Sequence, residues 1–233
     1  MTRRTNARLA GLLFLLYIVT GLASMALFDR ATGGAEGAAA TLANLAQHVT
    51  TVRLTVVLNL LMFLYAAGLG VTLWALTRDE DRDLAMLALC CRVTEGVLAA
   101  AGAFGMLELL SVATAASGAA AAEVTAANAL GAALLEQNAL GMPVTAFCFA
   151  LGSTLFSWLF LRARTIPVAL ARLGVFASIL LVVLLPAQLA GWIGAPVTLV
   201  MWLPMLVFEV ALALWLLIKG VAGDGPESHA RHS

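Results

Sequence analysis

The sequence predicts an all-α transmembrane bundle of six spans with both termini in the cytoplasm. Three observations predict it. The 233 residues are 62% hydrophobic and 11% charged, where a soluble domain is about half apolar and about a quarter charged. Six apolar runs follow one another, most of them long enough to cross a hydrocarbon core about 30 Å thick. The basic residues, finally, fall on one side of that arrangement. A soluble helical protein would need polar faces on its helices, and these runs have almost none. The zero formal net charge offers nothing to nucleic acid, so the expected partner is the lipid bilayer.

The first span covers residues 9–28, behind the basic tail Arg3, Arg4 and Arg8. This start imitates a secretory signal, but the run is long for one and five more spans follow, so an uncleaved helix is expected. Gly33-Gly34 breaks the chain. Leu42, Leu45, Val49 and Val52 then recur at helical spacing among Asn44, Gln47 and His48, the pattern of a short amphipathic helix at the interface. His48 is expected to be a solvated surface residue.

The second span covers 54–76, with Arg53 at its outer mouth and Asn59 further in. Thr77 to Asp83 is a charged turn in which Asp81 or Asp83 can cap the next helix, because aspartate accepts from free N–H groups at a helix start. The third span covers 84–110. A segment rich in alanine and glycine follows, and residues 118–141 read as a second surface helix or as another span. Pro143 opens the fourth span, 143–161, proline being tolerated in a first turn. The fifth span, 168–192, holds Pro186 as an expected kink. The sixth, 197–218, is broken by Pro204. The chain is thus expected to form one bundle over 1–219 and a disordered tail over 220–233.

Topology follows from Lys and Arg. With the N-terminus inside, ten lie on the inner side: Arg3, Arg4, Arg8, Arg78, Arg82, Arg162, Arg164, Arg172, Lys219 and Arg231. Two, Arg30 and Arg53, lie outside, and Arg92 lies within the membrane. A seventh span over 124–140 would carry Arg162, Arg164 and Arg172 outside, which favours six.

The candidate site is a buried polar cluster. At about 1.5 Å per residue, Arg92 lies about 13 Å and Glu95 about 18 Å into the third span, and Glu209 about 15 Å above Lys219 in the sixth. All three occupy one middle slab. Arg92 and Glu95, three apart, share a helix face. A mid-membrane arginine faces the bundle and pairs. The expected partner is Glu209 across helices, with Glu95 second or competing. Two carboxylates against one arginine leave an excess negative charge, so one of them is expected to hold a proton. Arg53 and Glu136 form a weaker expected pair at the outer face, near Asn59. Tyr17, Asn59, Tyr65, Thr94 and Ser157 are candidates to bring hydroxyls or amides to the core.

No catalytic residue and no metal ligand set stands out, and no cofactor is expected. The single lysine in the chain, Lys219, ends a helix, which excludes a mid-bundle retinal Schiff base. No histidine lies in a span, and no GxSxG or P-loop occurs. Cys90, Cys91 and Cys148 lack metal or disulfide spacing and are read as small packing residues.

Five elements, in this order, carry a resemblance: Arg8-Leu9-Ala10-Gly11-Leu12-Leu13-Phe14-Leu15-Leu16-Tyr17; Val52-Arg53-Leu54; Cys91-Arg92-Val93; Arg164-Thr165-Ile166-Pro167; and Glu209 with Leu214-Trp215-Leu216-Leu217-Ile218-Lys219-Gly220. Together they resemble a large bacterial family of small polytopic membrane proteins known as a domain of unknown function. The likeness covers most of the chain, through order and spacing rather than any one motif. It departs after Pro167, where Val168-Ala169-Leu170 replaces a bulkier segment. It implies a multi-pass protein of the bacterial inner (plasma) membrane and no activity. Two functions fit these readings. One is binding or transport of a small or lipidic ligand through Arg92, Glu95 and Glu209. The other is a non-catalytic structural or regulatory subunit in which the cluster holds helices together.

Overall fold

A computed structural model describes residues 2–221, and among these all regular structure is helical. The helices are α1 (Arg3–Thr32), α2 (Ala38–Gln47), α3 (Val49–Thr77), α4 (Arg82–Ala116), α5 (Ala121–Ala163), α6 (Val168–Leu189), α7 (Ala195–Val200) and α8 (Leu203–Ile218). Five of them, α1, α3, α4, α5 and α6, are long and apolar enough to cross a membrane, and α8 is a shorter apolar helix of 16 residues.

Sequence explains most of the boundaries. α1 stops where Gly33 and Gly34 both take positive φ, a conformation that costs glycine nothing. α2 ends at His48, whose N–H bonds back to the carbonyls of Asn44 and Leu45 and whose Nδ1 lies 2.9 Å from the Asn44 carbonyl. The half-buried histidine is a helix-end residue, and Val49 and Val52 belong to α3 rather than to the amphipathic helix. The Leu84 N–H donates to Asp81 Oδ1 at 3.1 Å, the expected cap of α4. Met201 and Trp202 separate α7 from α8, whose first turn holds Pro204.

One expectation is corrected. Residues 118–141 form neither a separate surface helix nor a span of their own. From Ala121 on they are the first half of α5, which runs unbroken through Pro143 for 43 residues, roughly 65 Å. A proline inside a helix removes one hydrogen bond, that to the carbonyl of Ala139. Forty-two other residues hold the helix together, so the expected start at Pro143 does not occur.

The chain forms two compact units. The first gathers the residues up to Tyr17, Tyr65–Glu95, and those from Pro143 onward; the second gathers Ile18–Leu64 and Gly96–Met142. The first unit has the larger core, with Phe14, Leu73, Phe149, Phe160, Leu181, Phe208 and Leu212 buried in it. The second closes around Leu42, Leu45, Val52, Leu109 and Leu110. Its polar side chains are tied locally: Ser24 Oγ donates to Asn59 Oδ1 at 2.9 Å, and Asn44 Nδ2 to the Thr32 carbonyl at 2.8 Å. Outward positions on the long helices are apolar too, among them Val19, Phe104 and Val183, as a surface in contact with lipid requires. The expected tail lies outside the described residues from 222 on, while Val221 is buried in the first unit. Arg231 of the charge count also lies outside them.

Close helix approach in the first unit is set at Gly11. A Cβ there would stand 2.6 Å from the Ala213 carbonyl oxygen and 2.9 Å from the Leu217 nitrogen. Backbone atoms cannot swing aside, so Gly11→Ala is expected to cost about 1–3 kcal/mol by overpacking. Gly102 of α4 meets nothing within 4 Å, so Gly102→Ala is expected to be stabilising by about 0.5–1 kcal/mol through helix propensity. Equilibrium unfolding in mixed micelles checks the pair, and equal effects would refute the close approach of α1 and α8.

Candidate functional site

Arg92 on α4 is 1% exposed, the largest side chain so completely buried in the first unit. Two glycines make room for its stem. A Cβ at Gly70 of α3 would come 3.1 Å from Arg92 Cβ, and one at Gly152 of α5 would come 3.3 Å from Arg92 Cδ. The guanidinium lies over two rings, with Cζ 5.3 Å from the centroid of Tyr17 on α1 and 5.1 Å from that of Phe149 on α5. Both distances are within cation–π range.

Glu95, also 1% exposed, is one turn further along α4. Its Oε2 stands 2.8 Å from Arg92 Nη1, a close ion pair whose alignment falls short of a hydrogen bond. Its Oε1 accepts from the Tyr17 hydroxyl at 2.5 Å. One carboxylate thus meets the cation of its own helix and a donor from α1. Arg92 keeps Nε and Nη2 without a hydrogen-bond partner.

Glu209 on α8 is 7% exposed and its Oε1 has no hydrogen-bond partner. It forms no ion pair with Arg92 among the described residues. The expected order of partners is therefore reversed: Arg92 pairs with Glu95. The reason is geometric. An i,i+3 partner is presented by the helix itself, whereas Glu209 must be turned to Arg92 by the packing of a second helix, and the rings of Tyr17 and Phe149 already cover the guanidinium.

Arg92 also lines a small cavity with Ser153 and Ser157 of α5 and with Phe14, Phe156, Phe160 and Phe208. Its volume for water centres is about 10 Å³, near the threshold for one water molecule. Gly174 of α6 allows Phe208 and Ser157 to close in here, since a Cβ would stand 2.4 Å from the ring and 2.6 Å from Ser157 Oγ.

The outer-mouth residues are not brought together. Arg53 and Glu136 are both exposed and share no ion pair, and Asn59 bonds Ser24 and reaches Met106 Sδ at 3.5 Å. Of the hydroxyl and amide candidates, Tyr17 and Ser157 reach the Arg92 region. Phe149 was not foreseen; an aromatic in an apolar run carries no signal that separates a cation–π partner from ordinary core. The three cysteines are free thiols.

An all-helical chain with five such helices and a charged centre among apolar side chains is built as a membrane-embedded protein. The chain belongs to the family described as Domain of unknown function (DUF4386), whose model matches residues 9–220. This is what the five sequence elements resembled. No curated protein and no solved structure matches it.

The site generates a thermodynamic prediction. Arg92→Gln leaves Glu95 as an uncompensated buried charge and is expected to cost about 3–5 kcal/mol. The Arg92→Gln/Glu95→Gln double variant should cost clearly less than the sum of its singles. The corresponding coupling of Arg92 with Glu209, which share no contact ion pair but feel each other's charge, should be smaller than that with Glu95. Unfolding equilibria of the two cycles in mixed micelles decide it, and a larger coupling to Glu209 would restore the cross-helix pair.

Proposed function

We propose that the protein is a six-span protein of a bacterial plasma membrane, with both termini cytoplasmic, that binds or carries a small or lipidic ligand at Arg92. The observation that carries the ligand reading is the buried guanidinium with two nitrogens lacking hydrogen-bond partners beside a serine-lined cavity. Desolvating an arginine costs several kcal/mol, which attraction to one carboxylate offsets only when the remaining donors are also bonded. A ligand that offers an acceptor oxygen to Arg92 supplies those bonds. Its apolar part then lies against Phe14, Phe156, Phe160 and Phe208. The cavity has room for about one water, so anything larger enters as these side chains part. Glu95 keeps the guanidinium in place, and Glu209 is a second carboxyl available for a proton.

A structural role is the second reading. It is favoured by the Tyr17–Glu95 hydrogen bond, which joins α1 to α4, and by Phe149, which brings α5 to the same cation.

The topology draws support from one end of the first unit. Arg3 Nη2 reaches the Leu76 carbonyl at 3.4 Å, and Arg162 at the end of α5 pairs with Glu80 at 3.0 Å and Asp81 at 3.6 Å. The start of α1, the α3–α4 turn and the end of α5 therefore share one end, where basic residues gather. This is the alternation that six spans with an inside N-terminus require, with α7 and α8 together supplying the sixth.

Two measurements test these proposals. A green fluorescent protein fused to the C-terminus is expected to fluoresce, and alkaline phosphatase inserted at Gly118 to be active; the opposite pattern overturns the topology. For the ligand, an amphiphile bearing acceptor oxygens is expected in organic extracts of the purified full-length protein. It should be reduced about tenfold in Ser153→Ala/Ser157→Ala through lost hydrogen bonds. Extracts empty of any such compound, together with a fully additive loss of stability in that variant, would leave the structural reading.

A further inference from the structure

The turn between α5 and α6 and the end of α8 enclose an open cavity of about 390 Å³ in the first unit. Arg164, Thr165 and Pro167 line it from the turn, and Trp215 and Lys219 from α8. It is separate from the Arg92 cavity in every lining residue.

Four features of this cavity lead to the same kind of ligand. Arg164 and Lys219 are exposed cations that pair with no carboxylate among the described residues. Thr165 is 7% exposed, and its hydroxyl Oγ1 is buried with no hydrogen-bond partner; a buried polar group of this kind normally has one. Pro167 precedes α6 and gives no side-chain cap to the positive end of this 22-residue helix, whose first N–H groups have no partner within the helix itself. Arg164, moreover, holds φ of 50°, the one described non-glycine residue with positive φ. That left-handed conformation is a common way for a helix to end, here directly after Ala163 of α5. Among the described residues no carboxylate lines the cavity to repel an anion.

We propose that this cavity binds a phosphate group, either the headgroup phosphate of an anionic phospholipid or a soluble phosphate ester. A phosphate offers several acceptor oxygens at once, which matches a guanidinium, an ammonium and a hydroxyl on residues that line one cavity from two elements, beside the start of α6. Basic pockets at the cytoplasmic ends of membrane helices take lipid headgroups in this way. Trp215, with an indole suited to the membrane boundary, and the buried Ile166 and Val221 give the glycerol and upper acyl carbons an apolar wall.

Native mass spectrometry of the full-length protein released from a mild detergent tests the site. The probes are phosphatidylglycerol, phosphatidylcholine and inorganic phosphate. Wild type is expected to bind one phosphatidylglycerol saturably and about tenfold more tightly than phosphatidylcholine, as loss of a charge-assisted contact implies. Arg164→Ala/Lys219→Ala should weaken it about tenfold or more. Thr165→Val, which exchanges the hydroxyl for a methyl and keeps both charges, should weaken it several-fold and is expected to fold normally. If inorganic phosphate binds wild type and is lost in the variants while phosphatidylglycerol is not retained, the source is a soluble phosphate ester. Binding that is unchanged in Thr165→Val and in the double variant, or wild type that retains neither probe, overturns the proposal.

Discussion

One constraint organises the first unit: a guanidinium that keeps its charge is buried in a bundle whose outside is as apolar as its inside. Each surrounding choice answers it. Glu95 lies on the same face of the same helix, Tyr17 fixes the carboxylate from α1, and two aromatic rings receive the faces of the cation. Gly70 and Gly152 remove the side chains that would displace its stem. The helices that meet here do so because polar atoms have nowhere else to be satisfied, hydrocarbon being unable to accept or donate.

At the basic end the electrostatics work differently. Arg162 with Glu80 and Asp81 is half exposed, and such pairs contribute about 1 kcal/mol or less. Their effect is orientation: they fix the end of α5 to the turn that Asp81 also uses to start α4. A single aspartate therefore begins one helix and receives the end of another. Charges at this end thus hold the ends of helices in register.

Much of this was legible in the residues. The long apolar helices, the cap at Asp81, the break at Gly33-Gly34 and the shared face of Arg92 and Glu95 each follow from a local rule of spacing or conformation. The partner of Arg92 was not legible. Depth along a helix gives a height within the membrane, and Glu209 does lie on a helix of the right height, but the direction it faces is set by packing that one sequence does not reveal. Pro143 misled for a related reason: its local penalty is small beside the cooperativity of a 43-residue helix. The cavity proposed to bind phosphate was not legible because Thr165 and Lys219 are far apart in the chain, and nothing in either stretch says that the fold brings them to one cavity.

The unsatisfied groups are unevenly distributed. Buried polar side chains are as a rule hydrogen-bonded, and exceptions are informative. Among the described residues the side chains with a buried, unpartnered polar atom are Arg3, Trp74, Arg92, Glu95, Asn138, Thr165 and Glu209, and all but Asn138 belong to the first unit. The second unit ties off Ser24, Asn44 and Asn59 within itself. A bundle held together only by polar contacts would be expected to satisfy them in both units alike. The unpartnered atoms are instead concentrated in the first unit, with Asn138 alone in the second.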